Sequence, residues 1–582
     1  MRRSGPPPRR GVRYEPPEKP PHLLSLGLGL QLVMLNISGI VLIPKIIIEA
    51  AAVGEVYLSW AVFAGLCVCG LITVIQAVRV GNMGAGYILL MGTSGTFVAV
   101  SITALVEGGP ALLATLIVVS SLFQFVLGSR LVLLRRVITP LVAGTVIMLV
   151  AVTIMPIAFN MLSRPPEGTP PAAAPVSFAV TLLAMAGLAL FAAGAWRLWG
   201  PVLGVIAGCS VAGYYGIYDT ARVVSAPWFG LPPIGWPGFD LSFGSSFWAL
   251  LPVFIFVVAI DTVRTVGGSI SIQQVSWRQP RATDFRSVQG TIGASGLSNL
   301  LSGLVGTLPN TTYSSSISVA ALTGVAARNV GVCVGILIIV FSFIPKATAV
   351  ILAIPNPVVA AYIVVLISLL FVVGTRIVVR DGLDSRKSIV VGVAFWLGVG
   401  FQNRQIFSEH LGDAAASIME NGIAAGGLAA IVMTVALELS KPRRRKIKTK
   451  LGLESLAEVD EFVQRFAKDK HWNATSTGRL RAATEEAILS LVPYERDTEP
   501  EDARNLVLSM GGDGRKAELE FIAAAGEGNL EDKLALLGQW AEQSSDREFS
   551  LRLLRHFATS VNHRQYHDTD VVTIRVDADK ES

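Results

Sequence analysis

The run from Phe247 to Ile260 carries no charge, and Asp261 follows it directly. An ionisable group inside a membrane-spanning helix costs about 2.5–3.5 kcal/mol or more, so its presence points to a function. A carboxyl withdrawn from water can take up a proton near neutral pH. That is the chemistry a proton-coupled carrier uses. The residues leave a second reading open: a helix-end acid paired with Arg264, three positions on along the same face.

Two further stretches share an unusual construction. Gly84 to Ser101 contains Gly92-Thr-Ser-Gly-Thr-Phe97, and Gly303 to Gly324 contains Pro309-Asn-Thr-Thr-Tyr-Ser-Ser-Ser316. In each, an apolar lead too short to span a bilayer runs into Gly, Pro, Ser and Thr, and a second apolar piece follows. Irregular backbone at membrane depth is tolerated only where it lines a cavity or is buried in protein. Breaks at matching places in two halves predict an inverted-repeat transporter. Half-helices beginning near Ser94 and Ser314 would aim their N-termini at one midplane site. Their free N–H groups and hydroxyls suit a polar, uncharged or anionic ligand. Close packing of small residues is the competing explanation for either segment taken alone.

The elements that must position these groups are read from hydropathy. The chain has 582 residues, 52% hydrophobic and 15% charged, with a mean hydropathy of +0.57. Soluble domains carry about 25% charged residues. A spanning helix needs roughly 20 apolar residues, and fourteen candidate blocks centre near residues 33, 66, 94, 118, 145, 184, 206, 254, 296, 318, 340, 366, 394 and 430. Blocks three and ten are the interrupted ones. Residues 1–21 form a Pro- and Arg-rich arm, predicted disordered and without the apolar core of a cleavable signal. The transmembrane domain is predicted over 22–440, a basic juxtamembrane linker over 441–452, a cytoplasmic α/β domain over 453–577 and a short tail over 578–582.

Orientation follows from the basic residues. The arm carries Arg2, Arg3, Arg9, Arg10 and Arg13, and every second joint is basic: Arg79; Arg130, Arg135 and Arg136; Arg197; Arg278, Arg281 and Arg286; Arg328; then Arg376, Arg380, Arg386 and Lys387. Arg164, Arg222, Lys346 and Arg404 depart from the pattern. An even number of spans places both termini in the cytoplasm. It also explains a net charge of +6 without a nucleic-acid partner. The run from Lys441 to Lys450 reads as a topology and lipid-headgroup anchor. Cys67, Cys69, Cys209 and Cys333 all lie in apolar blocks and read as packing residues, not as a disulfide or metal set. No P-loop, HExxH or Gly-x-Ser-x-Gly motif occurs, so an enzyme is not expected.

From about Leu24 to Leu439 the sequence resembles the nucleobase–ascorbate transporter family, the uracil and xanthine permeases. Gly29-Leu-Gln31 resembles that family's opening Leu-Gln-His helix, with Leu32 in place of His. Gly92 to Phe97 resembles its third-helix signature. Gly296-Leu-Ser-Asn-Leu-Leu-Ser-Gly-Leu-Val-Gly306, with Pro309 and Thr311-Thr-Tyr-Ser314, is the closest match. Ile354 to Val358 and Leu383 to Lys387 resemble later segments. The resemblance implies fourteen helices in a seven-plus-seven inverted repeat, with a core domain (helices 1–4 and 8–11) moving against a gate domain (5–7 and 12–14), often in a homodimer. It implies two short strands in segments 3 and 10, no cofactor, and coupling to protons or sodium. The family's helix-eight acid falls on Asp261, the expected coupling group. Its base-clamping Glu or Gln falls on Ser315, the next Asn on Ser316, its Gly on Ser318 and its Thr on Thr323, with Gly324 where a basic residue is usual. A Ser hydroxyl cannot present a paired edge, while Phe97 can stack on a planar ring. The expected substrate contacts are therefore Phe97, Asp261, Thr311, Tyr313, Ser314, Ser315 and Ser316, supported by Gln31, Thr93, Ser94 and Thr323.

The tail reads as helices over 458–469, 477–491 and 550–560. Strands are read over 503–510 and 517–524, around the hairpin turn Gly511-Gly-Asp-Gly514, and over 571–576. This order resembles the histidine-kinase-like ATPase fold of anti-sigma kinases, with Ala483-Thr-Glu-Glu-Ala487 as the Glu-bearing helix. The helix's Asn falls on Ser490, the adenine-reading Asp on Ala524, two before Gly526, and the glycine lid on Ser550-Leu-Arg-Leu553. A degenerate module for regulation or dimer contacts is implied. The expected function is import of a nucleobase-like solute, which the resemblance implies is of the purine or xanthine type, across a plasma membrane. A receptor signalling through the tail and an anion carrier of the sulfate-transporter class are the alternatives.

Overall fold

Uncharged runs of Leu, Ile, Val and Ala can satisfy their backbone without water only as helices, and most of the chain is built of such helices. The computed structural model describes residues 11–129, 139–162, 169–279, 281–380, 382, 384–403, 422–439, 444–491, 505–512, 515–524, 530, 546–566 and 569–578. Arg2, Arg3, Arg9, Arg10, Arg130, Arg135, Arg136, Arg164, Arg404, Lys441, Asp513, Gly514 and Gly526 lie outside the described residues.

The larger of two units comprises Gly11–Ser276 and Val288–Glu438. Helices α1 (His22–Ala50) and α2 (Glu55–Val78) lead to strand β1 (Met91–Thr93), a 3-10 turn (Gly95–Phe97) and α3 (Val98–Ser129). Then come α4 (Pro140–Leu162), α5 (Ala173–Phe191), α6 (Gly200–Tyr214), α7 (Ser245–Ser276) and α8 (Phe285–Leu304). Strand β2 (Asn310–Thr312) precedes α9 (Ser315–Thr323), α10 (Arg328–Ser342), α11 (Pro345–Leu352), α12 (Asn356–Arg380), α13 (Ser385–Gln402) and α14 (Gly422–Leu439). Among the described residues seven helices are long and apolar enough to cross a bilayer, or eight if α10 and α11, bent by 84°, form one span. Residue 94 lies between β1 and the 3-10 turn, and the other expected centres fall on helices. α3 runs through two of the expected blocks and is broken at Gly109, which has φ 71° just before Pro110.

Helices cross closely where side chains vanish. A Cβ on Gly70 of α2 would stand 2.6 Å from the carbonyl of Gly335 on α10, and one on Gly144 of α4 would stand 2.6 Å from that of Gly374 on α12. Leu183, Leu190, Phe191, Ile389, Trp396 and Val432 project outward and exposed, as lipid-facing residues do. Lys45, buried in α1, donates to the carbonyls of Leu352 (2.7 Å) and Ile354 (2.6 Å) and lies 3.8 Å from Glu49. It satisfies carbonyls that the end of α11 leaves without helical partners.

The arm departs from the expected disorder over residues 11–21. Arg13 and Tyr14 donate their N–H groups to the Gly324 carbonyl at 2.7 and 3.1 Å, and Ala326 N–H donates to Tyr14 at 2.8 Å. Tyr14 thereby forms a parallel bridge with Val325. The reason is local: a Cβ on Gly324, at φ 71°, would collide with Gly11, so only glycine lets the arm lie here.

The smaller unit contains Trp277–Ser287 and the chain from Leu439 onward. Five antiparallel strands lie in the order β3-β4-β5-β7-β6: β3 (Arg445–Lys450), β4 (Asn505–Gly512), β5 (Lys516–Ala524), β6 (Ser560–Gln565) and β7 (Thr569–Asp577). Helices α15 (Leu456–Asp469), α16 (Ala474–Leu491) and α17 (Asp546–Phe557) accompany them. Val463, Phe466, Leu480 and Ile488 share one core with Leu508, Phe521 and Ile574. Half of the expected basic linker, Arg445–Lys450, is thus strand β3. Ile447 packs on the core while Lys446, Lys448 and Lys450 alternate with it, which is how an edge strand stays soluble. Asp284 bridges Gln565 on β6, and the rings of Phe285 and Tyr566 lie 5.2 Å apart.

Candidate functional site

The two interrupted segments meet. β1 and β2 pair antiparallel, with Met91 opposite Thr312, Gly92 opposite Thr311 and Thr93 opposite Asn310. Each strand supplies the partners that irregular backbone needs in the absence of water. Ser94 N–H extends the pairing to the Pro309 carbonyl (2.8 Å), and Tyr313 N–H extends it to Leu90 (2.8 Å). Gly92 is required there, because a Cβ would stand only 2.4 Å from Cζ of the Tyr313 ring.

Asp261 lies on α7 against this pair and is fully buried. Its Oδ1 accepts from Thr96 Oγ1 at 3.4 Å, a weak bond, and Thr96 shares a proton with Ser94 at 2.7 Å. Among the described residues its Oδ2 and the buried Thr311 hydroxyl make no hydrogen bond of good geometry, although the two side chains are close enough to interact. No ion pair joins Asp261 to Arg264 among the described residues, so the helix-end reading is not the geometry found. A buried ion without a matched partner costs several kcal/mol. The group therefore calls for a proton, a cation or a ligand N–H.

Phe97 is buried, its ring centroid 6.2 Å from that of Phe254. Thr93 donates to the Ile40 carbonyl (3.1 Å), and its own carbonyl accepts from Tyr313 Oη (2.8 Å). Ser315 donates to Asn36 Oδ1 at 2.6 Å, and Ser316 donates to the Tyr313 carbonyl at 3.1 Å. Ser314 is exposed at the start of α9 and does not cap it with its side chain. Thus Thr93, Ser94, Phe97, Asp261, Thr311, Tyr313, Ser315 and Ser316 cluster around the strand pair. Two expected supporters do not join them. Thr323 donates to Val319 (2.8 Å) at the far end of α9, and Gln31 is half-buried on α1 with no hydrogen bond to the cluster among the described residues.

Several residues escaped sequence reasoning. Asn36 is a buried amide inside an apolar helix, the signal that could have found it. Tyr362 on α12 reaches Gly39 of α1, where a Cβ would sit 3.1 Å from its hydroxyl and 3.3 Å from that of Tyr313. Asn310 anchors β2: its N–H donates to Asn299 Oδ1 (2.7 Å), and its amide donates to Ser302 (3.0 Å) and Ser298 (3.2 Å). Its Oδ1 accepts from Cys69 (3.3 Å), and Asn299 donates to Gln124 (2.9 Å). Cys69 is thus a free, buried polar partner.

Paired half-segments around a buried acid define a membrane transporter, not an enzyme. The chain belongs to the permease family of the xanthine and uracil permeases, whose model matches residues 24–405. A Clostridium perfringens protein named as a purine permease is 30% identical over 417 residues, covering 71% of this chain and 90% of that one. The xanthine permease XanP of Escherichia coli is 27% identical over 395 residues (65% and 83%). The uric acid permease PucK of Bacillus subtilis is 26% identical over 433 residues (72% and 97%). Among solved structures, murine Slc26a9, an anion transporter, matches with a TM-score of 0.48 at 12% identity, covering 74% of this chain and 71% of that one.

Proposed function

We propose that this protein is a secondary active transporter importing a nucleobase, of the purine or xanthine type, by alternating access. The buried Asp261 with its unpaired Oδ2, set against the β1–β2 pair, carries the reading. In it Asp261 is the coupling carboxyl, exchanging a proton or meeting a sodium ion as the site turns from one side to the other. Phe97, Thr311, Tyr313, Ser315 and Ser316 form the substrate's surroundings. The antiparallel meeting of two similarly broken segments supports the seven-plus-seven inverted repeat of fourteen spans. The names of the relatives support the substrate class. Both termini face the cytoplasm of a bacterial inner membrane, the unit of function is a homodimer, and the α/β domain is a regulatory or dimer-contact module that does not hydrolyse nucleotide.

A thermal-shift screen of the purified full chain tests this directly, since a ligand that binds the native state raises its melting temperature. Stabilisation by a purine or pyrimidine that weakens in Phe97→Ala is expected. A response to sulfate or bicarbonate with none to any base would overturn the substrate class.

A further inference from the structure

One face of α1 meets the site through three successive contacts. Asn36 pairs with Ser315 at 2.6 Å, Gly39 faces the hydroxyls of Tyr313 and Tyr362, and the Ile40 carbonyl accepts from Thr93 at 3.1 Å. Residues 36, 39 and 40 are one helical turn apart, so they share a side. Asn36 therefore stands one turn from Gly39, which has no side chain.

The amide is used with capacity to spare. Asn36 Nδ2 donates one hydrogen to the Leu32 carbonyl at 2.6 Å, and Oδ1 accepts the Ser315 hydroxyl. An amide carries two N–H donors and an acceptor with two lone pairs, and a hydroxyl adds two lone pairs of its own. Asn36 and Ser315 together keep one N–H donor and acceptor oxygens free, side by side and uncharged. Ser315 is half-buried next to the exposed Ser314, so the pair borders the exposed start of α9. Buried amides are costly unless satisfied, and the Leu32 and Ser315 bonds hold this one in a single orientation.

We infer that Asn36, oriented by Ser315, is the specificity-determining residue of this site, and that it reads a neutral heterocycle through one ring edge on which a donor and an acceptor are adjacent. Hypoxanthine presents such an edge at N1–H and C6=O. Unsubstituted purine has the same ring shape and lacks both that N–H and the carbonyl. A carboxylate at position 36 would offer acceptors only, and would favour an edge with two adjacent donors, such as N1–H and the 2-amino group of guanine. The inference rests on the nucleobase reading and narrows it.

The test is binding of hypoxanthine, guanine and unsubstituted purine to the purified full chain and to Asn36→Leu, Asn36→Asp and Ser315→Ala, each checked for a cooperative melt. Wild type should prefer hypoxanthine to purine by roughly tenfold or more, since purine offers neither of the two hydrogen bonds. Asn36→Leu should erase that preference, and Ser315→Ala should reduce it. Asn36→Asp should raise the guanine-to-hypoxanthine ratio by a similar factor, an inversion that a purely structural role would not produce. If wild type binds bases but the ratios are unchanged in every variant that folds, the inference fails and the nucleobase reading stands. If wild type binds none of the three, both fail.

Discussion

Met91–Thr93 and Asn310–Thr312 hydrogen-bond to each other, yet their flanks are furnished differently. The β1 flank turns hydroxyls toward the acid: Ser94 and Thr96 form a short chain ending at Asp261. On the β2 side the Thr311 hydroxyl lies by the acid, but the Asn310 side chain is turned into a network of its own. Asn310 sits in a closed network with Asn299, Ser298, Ser302 and Cys69. A sparse, under-satisfied flank suits groups that must change partners. The bonded Asn310 network suits a fixed frame, because satisfied buried polar groups rigidify their surroundings.

Breaking the β1 side should abolish function while sparing the fold. Asp261→Asn is expected to reduce substrate accumulation about a hundredfold or more, with a melting temperature equal to or above wild type, since it removes a buried ionisable group. Breaking the β2 side should do the reverse. Asn310→Leu leaves Cys69 and two serine hydroxyls without their partner and is expected to cost about 3 kcal/mol, read as a lower melting temperature or expression. Gly92→Ala tests the interface between them. Its Cβ meets the Tyr313 ring, and overpacking of this kind costs about 1–3 kcal/mol. Tyr313→Ala in the same chain should recover part of that loss.

The smallest effect belongs to the α/β domain. Arg481 donates to Asp460 at 2.5 and 2.7 Å, which holds the Asp460 carboxyl below its usual value, with Gln464 helping. A carboxyl lowered in the folded state adds stability above its unfolded value and loses it as pH falls through the folded one. Both partners are more than a third exposed, so the pair is worth only about 0.5 kcal/mol. Asp460→Asn should leave a slightly lower melting temperature at pH 7, with the difference from wild type vanishing in acid below the carboxylate range.

Much of this arrangement was legible from residue types. Asp261 stood out because charge is rare in apolar runs, and the Gly, Ser and Thr breaks showed where helix stops. Helices α15 and α16 began two or three residues before their expected starts, within ordinary boundary error. Strand β3 was hidden because alternating Lys reads as a charge run when its partner lies some sixty positions later in sequence. β6 was hidden likewise: its Ser-Val-Asn-His-Arg-Gln sequence is polar on both faces. The ordering of residues 11–21 depended on Gly324, a contact no local pattern announces. Asn36 was passed over because its one signal, a lone amide in an apolar helix, does not say what it meets; only the fold brings Ser315 to it.

The most direct measurement is accumulation of labelled base by proteoliposomes of wild type and Asp261→Asn under an imposed proton gradient, and separately under a sodium gradient. The account predicts accumulation by wild type under one of the two gradients and none by Asp261→Asn under either. Accumulation by Asp261→Asn at the wild-type level would contradict it.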